Sequence, residues 1–176
     1  FGEMLTFKSI LMNEKDPKEK KALLANKVED MLNTVVRQIA FFEFEKQIHE
    51  KRKTSELSVE EICAIWIKIQ TESLGPSISF EDEYKYYWAY IPHFIHSPFY
   101  VYAYAFGDCL VNSLYAVYQN GLNDFDKKYI HLLEAGGSIG YRELLKPFNL
   151  DPSRPDFWRK GISVIGSFID QLNEIE

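Results

Sequence analysis

Between Pro17 and Lys53 the chain carries no glycine and no further proline, and Leu24, Val28, Met31, Val35, Ile39 and Phe42 recur at steps of four and three. That spacing is one face of an α-helix. With Asp16 as cap and Pro17 at the first helical position, it predicts one helix on the order of 50 Å long, at ~1.5 Å per residue. An element of that length has to run along the whole domain. It is expected as the structural spine, and it commits the chain to helix-on-helix packing.

The flanking sequence agrees. Met4, Leu5, Phe7, Ile10 and Leu11 predict a helix over 3–13, ended by Asn13-Glu14-Lys15-Asp16-Pro17. The string Ser58-Val59-Glu60-Glu61 is a capping box that opens a helix through Ile62, Ala64, Ile65, Ile67 and Ile69, closed by Gly75-Pro76. Ser97 as cap and Pro98 as first residue predict a helix running to Asn120-Gly121. Asp108 is its one charged residue, so it is expected to be apolar nearly all round and central. Shorter helices are predicted over 124–134 and 141–146, and a last one over 155–175 with Phe157, Trp158, Ile162, Ile165 and Phe168 inward. No strand pattern or internal repeat competes. The expected fold is all-α, one multi-helix domain over 1–176.

Composition narrows the function. A net charge of −6 disfavours a sequence-independent nucleic-acid surface, which needs clustered Lys and Arg. Cys63 and Cys109 lie in apolar helical contexts without a CxxC spacing, and read as reduced core residues of a cytoplasmic protein. No apolar run reaches the roughly 18 residues of a membrane helix.

The segment from Ser77 to Ser97 breaks the helical rhythm with Phe80, Tyr84, Tyr86, Tyr87, Trp88 and Tyr90, and a short helix over 82–90 is expected within it. An ordered aromatic connection of this length suits a functional role. It leads into His93 and His96 and then Tyr100, Tyr102 and Tyr104, side chains that join an apolar body to a polar tip. Two readings stand for the tyrosines, an aromatic core stripe or a buried site for polar groups. For the histidines, spacing by three invites a metal pair. Pro98 interrupts any continuous helix through them and no HExxH or clustered cysteine accompanies them, so packed or capping histidines are expected instead. Glu3, Glu43 and Glu45 read as lone helix carboxylates, solvated or paired. Gly136-Gly137 reads as a turn.

Five strings then occur in a telling order: Phe1-Gly2-Glu3-Met4-Leu5, Arg37-Gln38-Ile39-Ala40-Phe41-Phe42-Glu43-Phe44-Glu45, Trp88-Ala89-Tyr90-Ile91-Pro92-His93-Phe94, Pro98-Phe99-Tyr100-Val101-Tyr102-Ala103-Tyr104-Ala105 and Ala135-Gly136-Gly137-Ser138. In this order they resemble the oligoendopeptidase F group of the thimet-oligopeptidase-like zinc metallopeptidases. The resemblance spans essentially all 176 residues, and its most specific strings are Ile-Pro-His-Phe and Pro-Phe-Tyr-Val-Tyr.

The resemblance implies an all-α clamshell that cleaves short peptides in a deep cleft. There an HExxH helix and a later Glu hold zinc. This sequence contains no HExxH. In the family pattern the third-ligand Glu would fall just before Phe1, and Glu3 would match a downstream Glu that orients a ligating histidine. No metal ligand is therefore assigned within 1–176. The other wall of the cleft is present: His93 matches the family histidine, and Tyr100 and Tyr104, with Tyr102 as a further candidate, match the tyrosines that bind the substrate backbone and donate to the oxyanion. Thimet-type relatives carry a glycine-rich loop where Ile95-His96-Ser97-Pro98 stands here, and His96 has no counterpart.

The chain, which begins at Phe1 rather than Met, is accordingly expected to be the C-terminal portion of a zinc metalloendopeptidase. Its partners would be short peptides and the remainder of the same chain, with no nucleic acid and no membrane. Alone it is expected to hold no catalytic zinc and to be inactive. The alternative is a non-enzymatic helical peptide-binding module.

Overall fold

Asp16 accepts the Lys18 amide on its side chain at 2.8 Å, and Pro17 begins α2 (Pro17–Thr34), after α1 (Gly2–Asn13). In this computed structural model, which describes residues 1–175, the spine expectation is corrected at the next step. α2 stops at Thr34, Val35 is distorted to φ −104°, ψ −66°, and a separate helix α3 (Val36–Arg52) follows. The physical reason is local. Thr34, Val35 and Val36 are three β-branched residues in a row, stiff at χ1 and crowding the preceding turn. Apolar periodicity survives such a break, because it records which face is buried and not whether the hydrogen-bond ladder is continuous.

α4 (Val59–Leu74) starts at the predicted capping box: Ser58 Oγ accepts from the Glu61 amide at 3.2 Å, and Glu61 returns a carboxylate oxygen to the Ser58 amide at 2.8 Å. A 3-10 helix (Asp82–Tyr90) and the one-turn α5 (His93–His96) come next. The following helix, α6 (Tyr102–Gln119), begins later than Ser97. Phe99 has φ +60°, a left-handed conformation that no helix tolerates, so 97–101 is a turn and not a first helical turn. α7 (Phe125–Ala135), α8 (Tyr141–Leu145), a short 3-10 turn (Lys146–Phe148) and α9 (Pro155–Asn173) complete the chain. Among the described residues there is no strand, and the fold is all-α. No helix among them is long and apolar enough to cross a membrane.

The chain divides into two compact units. One comprises Leu32–Phe106. Its core is Ala40, Phe41 and Phe44 of α3 with Ile65, Trp66 and Ile69 of α4, joined by Ile91 and Val101. Trp66 is stacked near Phe41 (5.6 Å) and edge-on to Phe44 (5.2 Å). Its indole N–H donates to the Tyr84 carbonyl at 3.0 Å, and the Tyr84 hydroxyl donates to Gln70 at 3.3 Å. These bonds fasten the aromatic connection to α4 and satisfy the polar tips of Trp66 and Tyr84, as buried Trp and Tyr require.

The other unit comprises Phe1–Met31 and the chain from Gly107 on. Leu24, Phe148, Phe157 and Phe168 are almost fully buried in it. α6 and α9 touch at backbone distance: a Cβ built on Gly161 would lie 2.9 Å from the Cys109 Cα and carbonyl oxygen. Beside that contact Ser113 donates its hydroxyl to the Phe157 carbonyl at 3.0 Å. Both cysteines are free and buried.

Candidate functional site

Three of the residues singled out from the sequence come together in the Leu32–Phe106 unit. His93 opens α5, Tyr100 ends the turn, and Tyr104 lies in the first turn of α6. The His93 and Tyr100 rings are parallel to within 9° at 6.3 Å between centroids, and Tyr104 stands edge-on to both, at 5.7 Å and 5.5 Å. His93 Nε2 lies 3.1 Å from the Tyr104 hydroxyl. The chain between them is tightly wound. The Tyr100 amide donates to the Ser97 carbonyl at 3.2 Å, and the Ala103 and Tyr104 amides donate to the Tyr100 and Val101 carbonyls. The Tyr100 and Tyr104 rings lie on one side, 5.5 Å apart, and Val101 between them is fully buried and pins the backbone.

Tyr102, two positions from either neighbour, faces elsewhere: its ring packs edge-on to Phe42 at 5.7 Å. Tyr100, Tyr102 and Tyr104 are each 40–52% exposed, so the three rings are not a core stripe. His96 is exposed. Glu3 belongs to the other unit, where Lys27 Nζ bonds its carboxylate at 2.6 Å and holds its pKa below the usual range. Among the described residues no group of three or more His, Cys, Asp or Glu is gathered so as to hold a metal ion.

The aromatic cluster can donate. When Nε2 carries the imidazole proton it donates to the Tyr104 oxygen, which leaves the phenolic hydrogen free for a negatively charged ligand oxygen. A Tyr hydroxyl is a hydrogen-bond donor and so suits an oxygen that gains charge during reaction.

One residue here does not declare its role in the sequence. Glu45, read as an ordinary helix carboxylate, is 2% exposed, and its Oε1 accepts the Phe99 amide at 2.9 Å. Burial pushes its carboxyl above the usual range, against the Phe99 N–H, His49 and His93, which favour the charged form. A signal existed: Glu45 is four residues from Phe41 and three from Ile48, on the face that Phe41 and Phe44 bury. His49 carries no sequence signal of its own, and its ring lies 4.7 Å from Phe99. With Lys46, Glu50, Arg52 and Lys53, these two rings line a hollow of about 570 Å³.

Comparison with known proteins is consistent throughout. The model of Peptidase family M3 matches residues 1–164. The chain is 34% identical to an oligoendopeptidase F homolog of Borreliella burgdorferi, over 99% of this chain and 30% of that protein. It is 30% identical to the plasmid-encoded oligoendopeptidase F of Lactococcus lactis subsp. cremoris, over 99% and 29%. The crystal structure of oligoendopeptidase-F from Enterococcus faecium superposes with a TM-score of 0.87 at 27% identity, covering 96% of this chain and 32% of that one. The chain thus spans under a third of the length of these relatives.

Proposed function

Because the chain belongs to Peptidase family M3, we propose that it is the C-terminal portion of the catalytic domain of an oligoendopeptidase F-like zinc metalloendopeptidase, and that it supplies one wall of the peptide cleft. In this reading residues 1–176 act as one helical domain whose substrates are short peptides. The zinc ligands lie in the remainder of the same chain, Glu3 orients one of them, and the enzyme works in the cytoplasm, where two unpaired cysteines are at home.

The observation that carries the reading is the His93–Tyr104 pair at 3.1 Å with Tyr100 beside it. When water adds to the scissile carbonyl, its oxygen gains charge, and the Tyr104 and Tyr100 hydroxyls donate to it while His93 fixes the direction of the Tyr104 hydroxyl. Such donors matter most in the transition state, so their loss falls on kcat more than on KM. Tyr102 contacts the substrate at the rim.

Steady-state kinetics of His93→Ala in the full-length peptidase tests this. A kcat lowered with KM little changed supports it, and unchanged turnover overturns the assignment. Peptide binding without any turnover in the full-length wild type would instead favour a binding module. The 176 residues alone are expected neither to hold stoichiometric zinc nor to cleave peptides. Both together in the isolated chain would refute the division of labour.

A further inference from the structure

Glu45 is the one buried carboxylate of its unit that the proposed chemistry leaves unused. It is 2% exposed, its Oε2 has no hydrogen-bond partner, and its Oε1 bonds an amide 54 residues away in sequence. A carboxylate in a core is costly and is retained where it does something an apolar residue cannot. What it bonds is the corner of a strained turn. Ser97, Pro98, Phe99 and Tyr100 form a β-turn closed by the Tyr100 amide and the Ser97 carbonyl, with Phe99 at φ +60° in the third position, where type II turns take glycine. An aromatic residue held there carries strain of about 1–3 kcal/mol and persists only if its surroundings impose it. Val101 is anchored on one side of Tyr100 by full burial; on the other side the anchor is the Glu45–Phe99 bond.

We propose that Glu45 is a positioning residue: its acceptor oxygen holds the 97–101 turn in the conformation that sets Tyr100 against His93 and starts α6 where Tyr104 meets Nε2. The consequence for catalysis rests on the reading of His93, Tyr100 and Tyr104 given above. The requirement is for an acceptor at this point and not for charge, which separates two substitutions. Glu45→Gln keeps an oxygen in place, whereas Glu45→Met fills the space without a strong acceptor and removes a buried charge.

In the full-length peptidase Glu45→Gln is expected to keep kcat within about threefold of wild type. Glu45→Met should lose on the order of 100-fold in kcat with KM nearly unchanged, the scale of a small misplacement of reacting groups. Hydrogen exchange read by mass spectrometry on peptides covering 97–104 supplies the readout independent of activity: faster in the Met variant, unchanged in the Gln variant. Wild-type exchange in Glu45→Met, or equal loss in both variants, overturns the proposal. Faster exchange with full turnover in Glu45→Met overturns its catalytic half if Tyr104→Phe impairs turnover. If Tyr104→Phe does not, it is the catalytic reading that fails, and exchange alone decides whether Glu45 holds the turn.

Discussion

The two halves of α6 are written in nearly the same alphabet and end as different surfaces. In the first turns Tyr102 and Tyr104 are 51% and 40% exposed, whereas in the next unit Cys109, Asn112, Ser113, Leu114 and Tyr115 are all at 5% or less. The difference lies in what consumes the polar tips. Ser113 donates its hydroxyl to the Phe157 carbonyl, and Asn112 Nδ2 donates to Asp108 at 2.7 Å although its Oδ1 is left without a partner, while the exposed Tyr104 hydroxyl pairs with His93 and retains hydrogen-bonding capacity. A polar atom already satisfied by its neighbours contributes to stability; one left partly open on a rigid helix can contribute to binding.

Substitutions along α6 and at its contact with α9 should therefore separate into effects on turnover and effects on stability. The largest is expected for Tyr104→Phe, with kcat in the full-length peptidase lowered about 10²- to 10³-fold, roughly 2.7–4 kcal/mol, and the thermal midpoint unmoved. A shifted midpoint with intact turnover would erase the contrast. Next, Gly161→Ala forces a Cβ to 2.9 Å from the Cys109 backbone, where no flexible side chain can yield. Denaturant titration should show a loss of about 1–3 kcal/mol. Ser113→Ala leaves the Phe157 carbonyl short of this donor and should lose about 1 kcal/mol in the same titration.

The Cys109 thiol gives a pH signature. Burial, with the nearby Asp108 charge, pushes its pKa up to about 11 from an ordinary 9, so the folded chain holds the proton more tightly than the unfolded one. Its contribution is complete below pH 9 and is lost as pH rises from 9 to 11. Thermal midpoints over that window should fall less steeply in Cys109→Ala than in wild type. Smallest of all, Tyr102→Phe should shift neither stability nor kcat by more than about 0.5 kcal/mol, since a surface hydroxyl away from the cluster is removed.

Helix positions were legible in the sequence to within a few residues wherever a cap or breaker marked them, as at Pro17, Ser58 and Gly75. The break at Val35 was not, because three β-branched residues weaken a helix without interrupting its apolar period. Nor was the turn at Phe99: Pro98 reads equally as the first residue of a helix or the second of a turn, and the left-handed residue after it is not the glycine that would have announced it. The resemblance points to His93, Tyr100 and Tyr104, and the fold brings these three together. Glu45 escaped because its partner is a backbone amide, which leaves no trace in a side-chain pattern.

The spans over which these bonds close suggest an order of assembly. The His93–Tyr104 pair closes a loop of 11 residues, whereas Glu45–Phe99 closes one of 54. Loop-closure entropy alone makes the second costlier by about 1.4 kcal/mol. A refolding chain can therefore bring histidine and tyrosine together locally and early, through many loose turn geometries, and acquires the strained one only when α3 docks. The rings would be neighbours before they are aligned.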